Sequence, residues 1–81
     1  MKVHVKLFAV AKERIGASAI EVELSEGATV RQLRGAIVEQ FPPLADVMRH
    51  ARLAVDNDYA SDVAVIDMRS EIAIIPPVSG G

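Results

Sequence analysis

The residues of this chain best suited to chemistry are its last six, Pro76-Pro77-Val78-Ser79-Gly80-Gly81. Chain ends are usually polar and expendable, but this one follows an apolar run, Ile72-Ala73-Ile74-Ile75, and stiffens before it stops. Pro76 and Pro77 lack a backbone N–H and hold φ at about −65°, so they end a strand and set an extended path away from the body. Val78 and Ser79 are small. Gly80 and Gly81 have no side chain and can thread a channel too narrow for a Cβ. The group delivered at the far end is an unhindered carboxylate. A carboxylate is a poor electrophile, yet as an acyl-adenylate it becomes a good one, open to sulfur or to an amine. The spacing points to activation and transfer at Gly81, with 76–81 as the arm that carries it.

The other candidate groups do not assemble into a site. His4 and His50 fit no HExxH-type spacing and read as solvent-facing histidines, not metal ligands. Asp56, Asp58 and Asp62 resemble a cation loop, but an EF-hand needs a central Gly and a terminal Glu that are missing here. Glu21 and Glu23 share the polar side of one strand, and a carboxylate pair working as acid and base needs a pocket. No glycine-rich loop follows a strand and opens a helix, so there is no phosphate cradle. The expectation is no metal, no stably bound cofactor and no active site complete within the chain.

Composition narrows the field further. At 81 residues, with 51% hydrophobic and 25% charged, the sequence reads as one small globular domain over 1–81 with 76–81 as its tail. The net charge of −2 comes from scattered charges of both signs, and there are only one Tyr and two Phe. Nucleic-acid binding therefore lacks both a basic stripe and stacking surfaces. The absence of cysteine excludes disulfides and thiol catalysis and fits a reducing cytoplasm. No apolar run approaches the roughly 20 residues of a membrane span.

The elements that must position the tail are legible as periodicities. Lys2 to Phe8 alternates, Val3, Val5 and Leu7 on one face and Lys2, His4, Lys6 and Phe8 on the other, which predicts a half-buried strand. The stretch 9–16 breaks the alternation and ends on Gly16, as a helical turn or loop would. Ile20, Val22 and Leu24 alternate with Glu21 and Glu23 in a second strand. Thr29 and Gln32 form the two ends of a capping box, and Val30, Leu33, Ile37 and Phe41 recur at helical spacing until Pro42-Pro43 stops them. Arg31, Arg34, Glu39 and Gln40 face away from that stripe. Residues 44–51 are weakly helical. Leu53 and Val55 belong to a third strand running into a polar turn at 56–58, 63–66 is a short strand-like piece, and Ile72 and Ile74 face inward from the last strand.

One helix over one face of a mixed sheet satisfies all these stripes. That is the α+β arrangement of the β-grasp, or ubiquitin-like, fold: four to five strands, one main helix, and the first and last strands parallel neighbours at the centre. Strand parity then has a consequence. Phe8 and Ile75 fall on the face the helix does not cover, and Tyr59 can extend them into a partner-binding patch beside the exit of the tail.

The quoted segments resemble the small, sulfur-carrying subunit family of molybdopterin synthase. VKLFAVAKERIG is similar to that family's first strand and helical turn, LAVDNDYA to its third-strand segment, and EIAIIPPVSGG to its last strand and tail. With VELSEGATVRQLRGAI between them the likeness spans nearly the whole chain, and the PPVSGG ending is its most specific part. The chain departs from the pattern at Asp56, where the family usually has Asn, and at Asp67-Met68-Arg69-Ser70, where it has a Gly-containing turn. The resemblance implies that an E1-like activating enzyme uses ATP to adenylate Gly81 and that a sulfurtransferase persulfide supplies the sulfur of a thiocarboxylate. It implies that the loaded tail enters a large subunit, in an assembly of two small and two large subunits, and donates sulfur to cyclic pyranopterin monophosphate. The small subunit is then a carrier, not an enzyme alone. A sulfur carrier for thiamin synthesis, a lysine-directed protein modifier and a plain ubiquitin-like binding module remain as alternatives.

Overall fold

The computed structural model describes residues 1–77. The elements run β1 (Lys2–Leu7), α1 (Ala9–Ile15), β2 (Ala19–Glu23), α2 (Val30–Gln40), a 3₁₀ turn at Pro42–Leu44, α3 (Ala45–Met48), β3 (Arg52–Val55), β4 (Asp58–Tyr59) and β5 (Ile72–Ile75). The strands form one five-stranded sheet in the order β2-β1-β5-β3-β4. β1 and β5 are parallel, in the register Val5↔Ile72, Lys6↔Ala73 and Leu7↔Ile74, and β2 and β3 flank them antiparallel. The fold is therefore the ubiquitin-like β-grasp, with β5, the strand that leads into the tail, in the middle of the sheet.

The periodicities account for this layout. Val3, Val5 and Leu7 of β1, Ile20 and Val22 of β2 and Ile72 and Ile74 of β5 are buried under α2, whose Val30, Leu33 and Ile37 are wholly covered. Burying each such side chain stabilises the fold by about 1.5–3 kcal/mol before chain entropy is set against it. α2 starts where Thr29 Oγ1 accepts from Gln32 N and Gln32 Oε1 accepts from Thr29 N, the reciprocal cap. It ends at Phe41, and Pro42-Pro43 turn the chain into the 3₁₀ segment. Residues 9–16 form a two-turn helix closed by Gly16, whose φ of +79° and N–H bond to Lys12 O at 2.8 Å make the left-handed stop.

Two expectations need correction. Residues 63–66 do not add a strand; the segment makes a single bridge, Thr29↔Val65. Its backbone is used elsewhere: Ala64 O accepts from Val30 N at 2.9 Å and Asp62 O from Arg31 N at 3.0 Å. The segment thus satisfies the first N–H groups of α2, which a helix cannot satisfy internally. Arg34 does not simply face away from α2. Its guanidinium donates to Met48 O at 3.1 Å and Ala51 O at 2.8 Å.

Candidate functional site

The open face of the sheet carries a shallow groove of about 360 Å³, lined by Lys6, Phe8, Ala54, Asn57, Tyr59, Glu71, Ile72, Ala73 and Ile75. Cross-strand register builds its floor. Lys6 lies opposite Ala73, Ala73 opposite Ala54, and Ala54 opposite Tyr59, so two short methyl groups sit side by side between larger neighbours. Phe8 and Tyr59 form the walls, 47% and 62% exposed, and Ile75 is half-buried at the end where the chain leaves the sheet.

Local geometry fixes each wall. Phe8 closes β1 in an extended conformation and caps α1, accepting from Ala11 N at 3.1 Å. Ala9 follows with φ +50°, a reversal that lets the strand pass straight into a helix. Tyr59 is placed by a two-residue hairpin turn, Asp56 and Asn57, both at positive φ (51° and 72°). That pair of left-handed residues is the turn whose twist matches paired strands. Asp56 is tied to β5 besides: its N–H donates to Glu71 O at 2.8 Å and its Oδ1 accepts from Glu71 N at 2.9 Å. An aspartate at this position thus has a bonding role of its own.

The polar end of the groove is the Lys6 Nζ–Glu71 Oε1 pair at 3.1 Å, both side chains more than half exposed. At the tail end Arg52 lies opposite Ile75, and its guanidinium carbon stands 4.8 Å from the centre of the Tyr59 ring. No polar or charged side chain is buried among the described residues.

The structure brings Phe8, Tyr59 and Ile75 to one place. Pro76 follows half-buried and Pro77 exposed, while Val78, Ser79, Gly80 and Gly81 lie outside the described residues. Reading the strands singly missed Lys6, Ala54, Ala73 and Arg52, although alternation already put Lys6 with Phe8 and Ala73 with Ile75. The missing step was register across the sheet.

The profile of the ThiS family matches residues 5–81. The chain belongs to the ThiS family. Within it, the whole chain is 36% identical to the molybdopterin synthase sulfur carrier subunit of Arabidopsis thaliana, covering 84% of that protein. It is 35% identical to the subunit of the same name in Caenorhabditis briggsae, again over its full length and over 99% of the relative. Among solved structures, SAMP1 (small archaeal modifier protein 1) from Haloferax volcanii superposes with a TM-score of 0.85 at 28% identity, each chain covered completely. This member of the ThiS family thus resembles sulfur carrier subunits along its length and shares its fold with a named modifier. No described helix is long and apolar enough to cross a membrane.

Proposed function

We propose that this chain is the sulfur carrier of molybdopterin synthesis and that its reacting group is the Gly81 carboxylate. The observation that carries the reading is continuity: β5, the central strand, ends at Ile75 beside an apolar groove and runs directly into Pro-Pro-Val-Ser-Gly-Gly. The full-length likeness to sulfur carrier subunits supports it. In this reading an E1-like enzyme joins the Gly81 carboxylate to the α-phosphate of ATP, releasing pyrophosphate. A sulfurtransferase persulfide displaces AMP from the acyl-adenylate, and cleavage of the resulting S–S bond by a thiol leaves a thiocarboxylate. The tail then enters a large subunit, where that sulfur passes to cyclic pyranopterin monophosphate and water takes up the acyl group as the C–S bond breaks, regenerating the carboxylate. Two deliveries complete the dithiolene. The body contributes a docking face, and the enzyme's active site lies on the partner. ATP is a substrate of the activating enzyme, not a cofactor of this chain.

The likeness to SAMP1 favours a second reading, in which the activated carboxylate is passed to lysine amines. Intact-mass spectrometry of the protein recovered from its native cells separates the two. Exchange of one oxygen for sulfur, mapped to Gly81, is expected of the carrier. Conjugates joined through Gly81 to other proteins, without the sulfur species, would overturn it in favour of the modifier.

A further inference from the structure

We infer that Arg52 is the charged recognition element of the docking face, and that the protein seated there presents an aspartate or glutamate to it. The inference rests on the reading that a partner occupies the groove beside the tail. Arg52 is exposed on β3, opposite Ile75 in register. Because Ala54 pairs with Tyr59, Arg52 and Tyr59 are diagonal neighbours on the same face. The guanidinium carbon sits over the ring, 4.8 Å from its centre, a cation–π contact. Such a cation–π contact takes away rotamers that a free surface arginine would sample, while the planar fork of N–H donors stays available to an acceptor.

Charge on this face makes the assignment specific. Lys6 is matched by Glu71 at 3.1 Å, and His4 faces Glu21 at 3.9 Å. Lys2 and Glu23 lie opposite one another at the remote end of β1 and β2. Among the described residues no carboxylate comes within 4.0 Å of Arg52. Among the described residues the fold therefore presents a guanidinium held against Tyr59 and unpaired with a carboxylate, at the edge of the groove and close to where β5 ends. A planar fork of donors is complementary to a carboxylate. Once Phe8 and Ile75 are covered by a partner, the water that screens such a pair is excluded. The occupant that fits is a protein surface with an apolar anchor for the space over Ala54 and Ala73 and a carboxylate beside it.

The test is titration calorimetry of the full chain against the molybdopterin synthase large subunit of the same organism, at low and high salt. Arg52→Gln should weaken binding at least about tenfold and Arg52→Glu about a hundredfold, the range for losing or opposing a desolvated charge pair. Arg52→Lys should fall between wild type and Arg52→Gln. The salt dependence of wild-type binding should shrink in Arg52→Gln, and the melting temperatures of the free variants should match wild type. Phe8→Arg serves as the control for the groove itself. If Phe8→Arg weakens binding while Arg52→Gln stays within about twofold of wild type at both salt concentrations, the role of Arg52 is overturned and the groove stands. If wild type does not bind the large subunit, pairs only with itself through this face, or binds no better than Phe8→Arg, the docking reading fails and this inference with it.

Discussion

Arg34 holds more of the molecule together than its place on the polar side of α2 suggests. Two of its N–H groups reach Met48 O and Ala51 O at 3.1 and 2.8 Å, and Nε stands 3.6 Å from Asp62 Oδ1. One side chain thus ties the end of α3, the entry to β3 and the segment that caps α2. Arg34→Met keeps the length of the stem but leaves two carbonyls without their donors. The expected loss is about 2 kcal/mol, the scale for hydrogen bonds from a charged donor into a half-buried site. Urea unfolding should show a lower midpoint with an unchanged slope, and Arg34→Lys, which cannot fork, should lie in between. Sequence spacing places Arg34 off the apolar stripe but cannot show that carbonyls 14 and 17 residues further on close over it. The Thr29–Gln32 cap is legible for the opposite reason: both partners lie within one turn.

Among the elements, the helices differ in what their glycines do. Gly16 ends α1 at φ +79°, whereas Gly35 sits inside α2 where an added Cβ would meet nothing within 4 Å. The same substitution should therefore act in opposite directions. Gly35→Ala should stabilise by about 1 kcal/mol, through helix propensity and a less flexible unfolded chain. Gly16→Ala should destabilise by about 1 kcal/mol, because the left-handed conformation is strained for any residue with a Cβ. Thermal melts should separate the two variants by several degrees on either side of wild type, about 4–8 °C per kcal/mol for a domain this size. The turn at Asp67–Ser70 carries the same lesson. It closes without glycine because Asp67 Oδ1 accepts from Arg69 N at 2.8 Å and Asp67 O from Ser70 N at 2.9 Å. The main helix and every strand but β4 are legible from periodicity; Asp58, expected in the turn, pairs with Val55 instead, because the two left-handed residues Asp56 and Asn57 complete the reversal by themselves. The status of 63–66 is not legible, because alternation at Val63 and Val65 looks the same whether the backbone pairs with a strand or caps a helix.

On the scale of the whole molecule, β5 joins two tasks that can be taken apart. Its open face, with its neighbours, forms the groove, and its end launches the tail. Beyond Pro77 the remaining four residues can reach at most about 14 Å. In the proposed carrier reading the body is therefore seated close to the partner's site, with the length of the arm matched to the remaining distance. Two kinds of variant should fail for different reasons. Phe8→Arg alters an exposed wall, so the free domain should keep its stability to within about 0.5 kcal/mol while affinity for the large subunit falls by about 2 kcal/mol or more. Ile75→Asp should weaken docking too, but Ile75 is half-buried, so part of its effect will appear in the melt of the free protein. One residue added after Gly81, or Gly81 deleted, should leave folding and docking unchanged. It shifts the reacting carbonyl by about 3.5 Å, and even ~1 Å of misplacement can lower a rate a hundredfold. Calorimetry against the large subunit, paired with an assay of molybdopterin formation from thiocarboxylated carrier, reads both tasks at once. The assay should be lost in all these variants, with binding lost only where the groove was changed. A chain extended past Gly81 that still yields product at the wild-type rate would show that the terminus is not the reacting group.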